Sequence, residues 1–142
     1  MKFKKELRDS RILSTEILGR AFTSSHRKPK VFICASSIGI YGDRKDETLT
    51  EKSQKGSGFL ADLTEEWEKS TRLVPEGVRV VHLRTGVVLG KNGGALAKLL
   101  PLFKLGLGGK MGAGSQYMSW ISLEDEIRAI EFALENENII GP

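Results

Sequence analysis

Apolar positions in this chain occur in two kinds of stretch. Val31-Phe32-Ile33-Cys34-Ala35 and Val78 to Leu83 are short continuous apolar runs. Runs of this length, bounded by turn residues, fit strands buried on both faces. The other stretches recur at helical spacing. Residues 3–24 predict a helix with Phe3, Leu7, Leu18, Ala21 and Phe22 on its apolar stripe, ended by Ser24, Ser25 and Pro29. Phe59 to Leu73 predicts a second, with Ser57 as its cap and Leu60, Leu63, Trp67 and Leu73 mostly on one face. Pro75-Glu76-Gly77 is a turn, and Thr85 to Leu89 reads as an extension of the second strand.

Gly93-Gly94 opens a third helix, Ala95 to Leu105, which Pro101 is expected to break or kink. Gln116 to Ile121 is a short strand candidate. Ser122 caps a last helix, Leu123 to Glu135, whose Glu124, Asp125 and Glu126 suit the positive N-terminal end. The order α-β-α-β-α-(β)-α predicts an α/β fold with a parallel sheet. Ligands of such sheets bind beyond the carboxyl ends of the strands. Those ends are Ser36-Ser37 and Arg84-Thr85-Gly86.

The 142 residues make about one domain. With 39% hydrophobic and 28% charged residues, the composition is that of a globular chain rather than a disordered one. No apolar run approaches the roughly 18 residues of a membrane helix, and the charged first ten residues are no secretory signal. A cytoplasmic protein with no membrane partner is expected. One cysteine and two histidines argue against a disulfide framework and a structural metal. The net charge of +4 is uneven: residues 1–30 hold nine Lys/Arg against three Asp/Glu. Without interleaved aromatics or a helix-turn-helix pattern, this reads as a solvated helix face and not as a nucleic-acid site.

Nine of the sixteen glycines lie between Gly86 and Gly114. Gly109-Lys-Met-Gly112-Ala-Gly114 follows a helix, whereas a dinucleotide turn follows a strand. Gly86-Val-Val-Leu-Gly90-Lys91 is too short for a phosphate loop. Both read as loop chemistry.

Residues 37–58 read as a long loop, and such loops are usually functional. At its start stands Ala35-Ser36-Ser37-Ile38-Gly39-Ile40-Tyr41-Gly42-Asp43. Taken alone, the serines are a turn or a cap. In combination the segment resembles the Ser-Ser-x-x-x-Tyr-Gly stretch of the extended short-chain dehydrogenase/reductase superfamily, in its epimerase-like branch. Glu51, Trp67-Glu68, the Leu83-to-Gly90 strand end and Trp120-Ile121-Ser122-Leu123-Glu124-Asp125 follow in that family's order. The nearest resemblance is to its cell-division-inhibitor-like epimerase group. Asp9-Ser10-Arg11, Gly93-Gly94-Ala95-Leu96, Leu105 to Gly109 and Ser119-Trp120-Ile121 look like that group's motifs.

The resemblance implies a partial doubly wound, Rossmann-like parallel sheet flanked by helices. Residues 1–142 would form the second half of an NAD(P)-binding domain, since the family's opening β-α-β with its Gly-rich turn has no counterpart here. It implies NADP or NAD as cofactor, bound weakly by these residues alone, and a small-molecule substrate of unassigned identity. Ser37 matches the active-site Ser/Thr, and Tyr41 is the second catalytic candidate. Ser36, Gly86 and Val87 are the cofactor-binding candidates. Arg84 is expected to order the strand end, and Asp125 to cap its helix. The family's Tyr-x-x-x-Lys pair, in which a lysine lowers the phenol pKa for proton transfer, is missing from the second helix. Its positions fall on Leu60 and Thr64, or one residue earlier on Phe59 and Leu63. The literal Tyr41-Gly-Asp-Arg-Lys45 lies on a turn and reads as a coincidence. Two functions therefore stand: an NAD(P)-dependent epimerase or oxidoreductase, inactive as this piece alone, or a non-catalytic NADP(H)-binding regulatory protein. A homo-oligomer through the 3–24 and 59–73 helices is the expected assembly.

Overall fold

The two continuous apolar runs become the two central strands, β1 (Val31–Ser37) and β2 (Arg79–Thr85). They pair in parallel from Val31↔Arg79 to Ser37↔Thr85. The computed structural model describes residues 2–110 and 112–142. Helix α1 (Lys2–Ser24) precedes β1, and helix α2 (Phe59–Ser70) lies in the crossover between the strands. The expected α/β arrangement is present. On β2, Val81 is almost fully buried. The far edge of β2 takes Gly141 as a further parallel partner, with Gly141 N donating to Val80 O and His82 N to Gly141 O.

The apolar stripe expected on α1 is not its buried face. Ile12, Thr15 and Gly19 are buried, while Phe3 is 73% exposed and Leu18 also faces out. The helix packs through small residues, which hydrophobic spacing does not register. A Cβ on Gly19 would stand 3.0 Å from the Leu73 backbone carbon, so this helix approaches the end of the α2 segment closely. Trp67 Nε1 donates to Thr15 Oγ1 at 3.1 Å, and Phe22 meets Phe32 edge-on.

Four further expectations need correction. The stretch after β2 does not extend it: the chain turns at Gly86, and β3 (Val87–Leu89) pairs in parallel with β4 (Trp120–Ser122) instead. A Cβ at Gly86 would lie 2.6 Å from the Ser119 carbonyl oxygen, so glycine here admits the neighbouring chain. Ser57 does not cap α2, which starts from Gly58 at φ 103° with no side-chain cap. The helical stretch to Leu73 closes as a 3₁₀ turn over Thr71–Leu73. Pro101 does not break α3 (Gly94–Lys104), which runs through it. Helix α4 (Leu123–Glu135) is as expected: Ser122 Oγ accepts from Asp125 N. Its C-terminal end is held from β2, where Arg79 donates to the carbonyls of Ala133 and Leu134, and to that of Ile139 beyond. A cation at that end suits the helix dipole. No described helix is long and apolar enough to cross a membrane.

Candidate functional site

Parallel pairing brings the carboxyl ends of β1 and β2 side by side, and a cleft of about 360 Å³ opens there. Ser36, Ser37, Thr85 and Gly86 line it from the strands, Leu60, Leu63 and Thr64 from α2. Arg11 of α1 and Glu126 of α4 complete it.

Ser37 has two tasks. Its Oγ accepts from Gly39 N at 3.0 Å and so starts a 3₁₀ turn over Ile38–Tyr41. A hydroxyl that accepts in this way keeps its own proton free to donate, and Ser37 faces the cleft. Ser36 is buried, and its Oγ donates to Glu68 Oε1. Thr85 Oγ1 donates to Glu126 Oε1 at 2.9 Å.

Tyr41, expected at the start of a long loop, is packed rather than loose. It is 8% exposed, ends the 3₁₀ turn, and its phenol oxygen accepts from Arg84 Nη1 at 3.0 Å. It does not line the cleft. Burial of the ring removes apolar surface from water, and Arg84 supplies the partner that the buried phenol oxygen needs. Of the cofactor candidates, Gly86 and Ser36 line the cleft, whereas Val87 does not and its neighbour Val88 does.

Behind the strand ends sits a mostly buried ion pair. Arg84 grips Glu68 with a two-pronged contact, Nε to Oε1 and Nη2 to Oε2, both at 2.8 Å. Its remaining arm reaches the Tyr41 phenol and the Glu51 carbonyl oxygen, tying the 42–58 loop to β2. Arg84 thus orders the strand end as expected. Burial pushes the Glu68 carboxyl up, but Arg84 and the Ser36 hydroxyl outweigh it, and its pKa is held below the ordinary carboxylate value. Glu68 in turn raises the pKa of Arg84. Below them, Thr71 Oγ1 and His82 Nε2 are 3.0 Å apart, and burial keeps the imidazole pKa low. Burial likewise raises the Cys34 thiol, which is buried beside Thr15 and stays protonated.

Leu60, Leu63 and Thr64 line the cleft with Ser37 and Phe59 does not, so of the two candidate pairs only Leu60 and Thr64 line it together; the Cβ position of Gly39 lies 3.5 Å from Leu60 Cβ and 3.7 Å from Thr64 Oγ1. Leu60, 58% exposed, opens towards the cleft rather than the core. Thr64 Oγ1 donates back to the Leu60 carbonyl at 2.8 Å. This pair holds no group that titrates near neutral pH. Asp125, with Arg128 beside it, does not itself cap its helix: Ser122 is the cap, and the Asp125 carboxylate accepts from the Ser122 hydroxyl. Among the described residues no cluster of His, Cys, Asp and Glu is suited to a metal.

Sequence reasoning gave no role to Arg11 or Glu126. Glu126 reads as one more acid of a helix N-terminus, and only the packing of α4 carries it to Thr85. The partner of Arg84 was open to inference, because an arginine in a buried strand needs an acid.

An epimerase family protein from Mycobacterium tuberculosis is 50% identical over 141 residues, which are 99% of this chain and 46% of that protein. The epimerase family protein SDR39U1 of Homo sapiens is 35% identical over 98% of this chain. The structure of human SDR39U1 (isoform2) with NADPH superposes with a TM-score of 0.94 at 34% identity, over 99% of this chain and 48% of that one. The chain is thus similar, over nearly its whole length, to about half of an epimerase family protein. A nucleoside-diphosphate sugar epimerase from Corynebacterium glutamicum also superposes, with a TM-score of 0.89 at 39% identity, over 99% of this chain and 30% of that one. No family model matches. The chain spans about half the length of the curated relatives it matches, and its α/β fold is Rossmann-like.

Proposed function

We propose that this segment supplies the reaction end of an NAD(P)-dependent protein of the epimerase and oxidoreductase type, acting on a small molecule still to be assigned. The observation that carries the reading is the convergence of Ser37, Thr85 and Gly86 on one cleft at the carboxyl ends of parallel strands. Neutral hydroxyls and an open wall suit the nicotinamide end of NADP or NAD, which Ser36 and Gly86 would help to hold. NADPH in the human relative's structure supports the phosphorylated form. The bound dinucleotide supplies hydride transfer. Ser37 orients a substrate carbonyl or hydroxyl through its free proton. With Leu60 and Thr64 facing Ser37 in place of a phenol and an ammonium, general acid–base help worth about 10²–10⁴ in rate is missing. Turnover on nucleotide sugars is therefore expected to be slow or undetectable. The same observation favours the second reading, a non-catalytic NADP(H)-binding regulatory protein.

The test is titration of the isotopically labelled chain with NADPH and NADH, followed by amide chemical shifts. Shifts at Ser37, Thr85 and Gly86, with a dissociation constant near the millimolar range (about −4 kcal/mol), support the reading. Shifts confined to α3 or to the Arg79 end overturn it. The exposed Phe3 and Ile17 on α1 support self-association through the 3–24 and 59–73 helices. Sedimentation showing a monomer at high concentration would contradict that assembly.

A further inference from the structure

We propose that Arg11 is an anion-recognition residue of this cleft, taking a phosphoryl oxygen of the bound ligand; this rests on the nucleotide-binding reading above. Three observations carry it. First, Arg11 lines the cleft together with Ser36, Ser37 and Thr85. Second, its charge has no carboxylate partner among the described residues. Arg8, one turn earlier, pairs with Glu66 at 2.6 Å and Arg20 pairs with Glu16. Arg11 has only neutral acceptors, the Leu7 carbonyl at 3.1 Å and Ser10 Oγ at 3.4 Å, and both are met by Nη1. Third, the guanidinium is held in place, 5.3 Å from the centre of the Trp67 ring, while Trp67 is anchored through Nε1 to Thr15.

Nε and Nη2 therefore keep N–H groups with no acceptor among the described residues. A guanidinium presents these groups as a planar fork that matches the oxygens of a phosphate. Held by stacking and by backbone, it needs little reorganisation on binding. Glu126 gives the cleft its opposite polarity. Its carboxylate, accepting from Thr85, suits ligand hydroxyls and repels phosphate. A ligand is thus oriented with its phosphate towards α1 and its hydroxyl-bearing part towards α4. The phosphate can come from a dinucleotide cofactor or from a nucleotide-linked substrate, and the test separates the two.

Trp67 is the natural reporter, because it stacks on Arg11, and Trp120→Phe removes the only other tryptophan. In that background, fluorescence titrations use two matched pairs of probes: nicotinamide mononucleotide against nicotinamide riboside, and uridine diphosphate against uridine. The phosphorylated member of at least one pair is expected to bind more tightly. Arg11→Gln should abolish that preference, a loss of about tenfold for a charged hydrogen bond. Arg11→Lys, which keeps the charge without the fork, should retain part of it and guards against misfolding. The pair that responds identifies the source of the phosphate. If both variants keep the full preference, Arg11 is not the anion site, while the nucleotide-binding reading stands. If none of the four probes changes Trp67 fluorescence in the parent chain, the inference and the reading beneath it both fall.

Discussion

Residues 2–85 and residues 86–135 are built on different principles. In the first region two strands pair over seven residues each, and Cys34 and Val81 on them are buried, as are Ile12 and Leu63 of the helices. In the second, β3 and β4 pair over three residues, α3 buries nothing, and α4 buries only Ala133. Leu105 is 72% exposed and Trp120 62%. The first region closes its polar accounts internally, with Glu68, Arg84, Tyr41 and Ser36 satisfying one another. The second is attached through few polar contacts: Thr85 to Glu126, and Arg79 to the Ala133 and Leu134 carbonyls at the end of α4. The cleft lies where the two regions meet, so its strand wall should be rigid and its α4 wall should open at lower free energy.

The most severe way to break the contrast is to remove one member of the buried ion pair. Arg84→Ala or Glu68→Ala leaves the partner charge unpaired in a mostly buried site. A loss of about 3–5 kcal/mol is expected, read as a fall in the urea midpoint. A loss below about 1 kcal/mol would mean that the pair is effectively solvated, and that the first region owes its order to apolar packing alone.

Two glycine substitutions sharpen the contrast at lower cost. A Cβ at Gly56 would lie 2.0 Å from the Tyr41 carbonyl oxygen, and Gly56 N already donates to Ile40 O at 2.9 Å. Gly56→Ala must therefore push the loop off the 3₁₀ turn, at about 1–3 kcal/mol of global stability. Gly86→Ala meets the Ser119 carbonyl instead. Faster hydrogen exchange over 87–122, with little change in the first region, is expected there. Uniform exchange changes along the whole chain would show that the two regions unfold as one.

Acid should act mainly on the first region, with the smallest effect. Burial first, and Arg84 with it, lower the His82 pKa against the attraction of Glu68. The folded imidazole resists a proton that the unfolded one accepts below about pH 6.5. Its contribution to stability is thus full above that pH and is lost as the pH falls through the lowered folded value. Glu68 follows at more acid pH. Its contribution is full above the unfolded carboxylate value of about 4.3 and is lost as the pH falls through its own depressed value. Melting temperature should therefore drop in two stages on acidification, and His82→Gln should remove the first. A melting temperature that stays flat from pH 7 to 5 would contradict the role given to His82.

The strands and the last helix were legible because their signals are local. A continuous apolar run of five or six residues needs burial on both faces, and Ser122 before an acidic turn marks a helix start wherever it sits. The face of α1 was not legible, because Thr15 and Gly19 pack by fitting closely rather than by being apolar. The break at Gly86 was hidden for the same reason: what forbids a side chain there is the carbonyl of Ser119, thirty-three positions away in the chain.

The order of the helices, the parallel pairing of the two buried strands, Ser37 at a strand end and the missing Tyr-Lys pair were all determined by sequence, since each depends on residue type and spacing along one segment. The tertiary structure alone decided three things. It set Leu60 and Thr64 opposite Ser37, buried Tyr41 against Arg84, and brought Arg11 and Glu126 to one cleft from opposite ends of the chain. These depend on side chains far apart in sequence meeting at a common surface. The physical reason is that burial, charge pairing and steric exclusion act through distances in space, and spacing along the chain does not encode those distances.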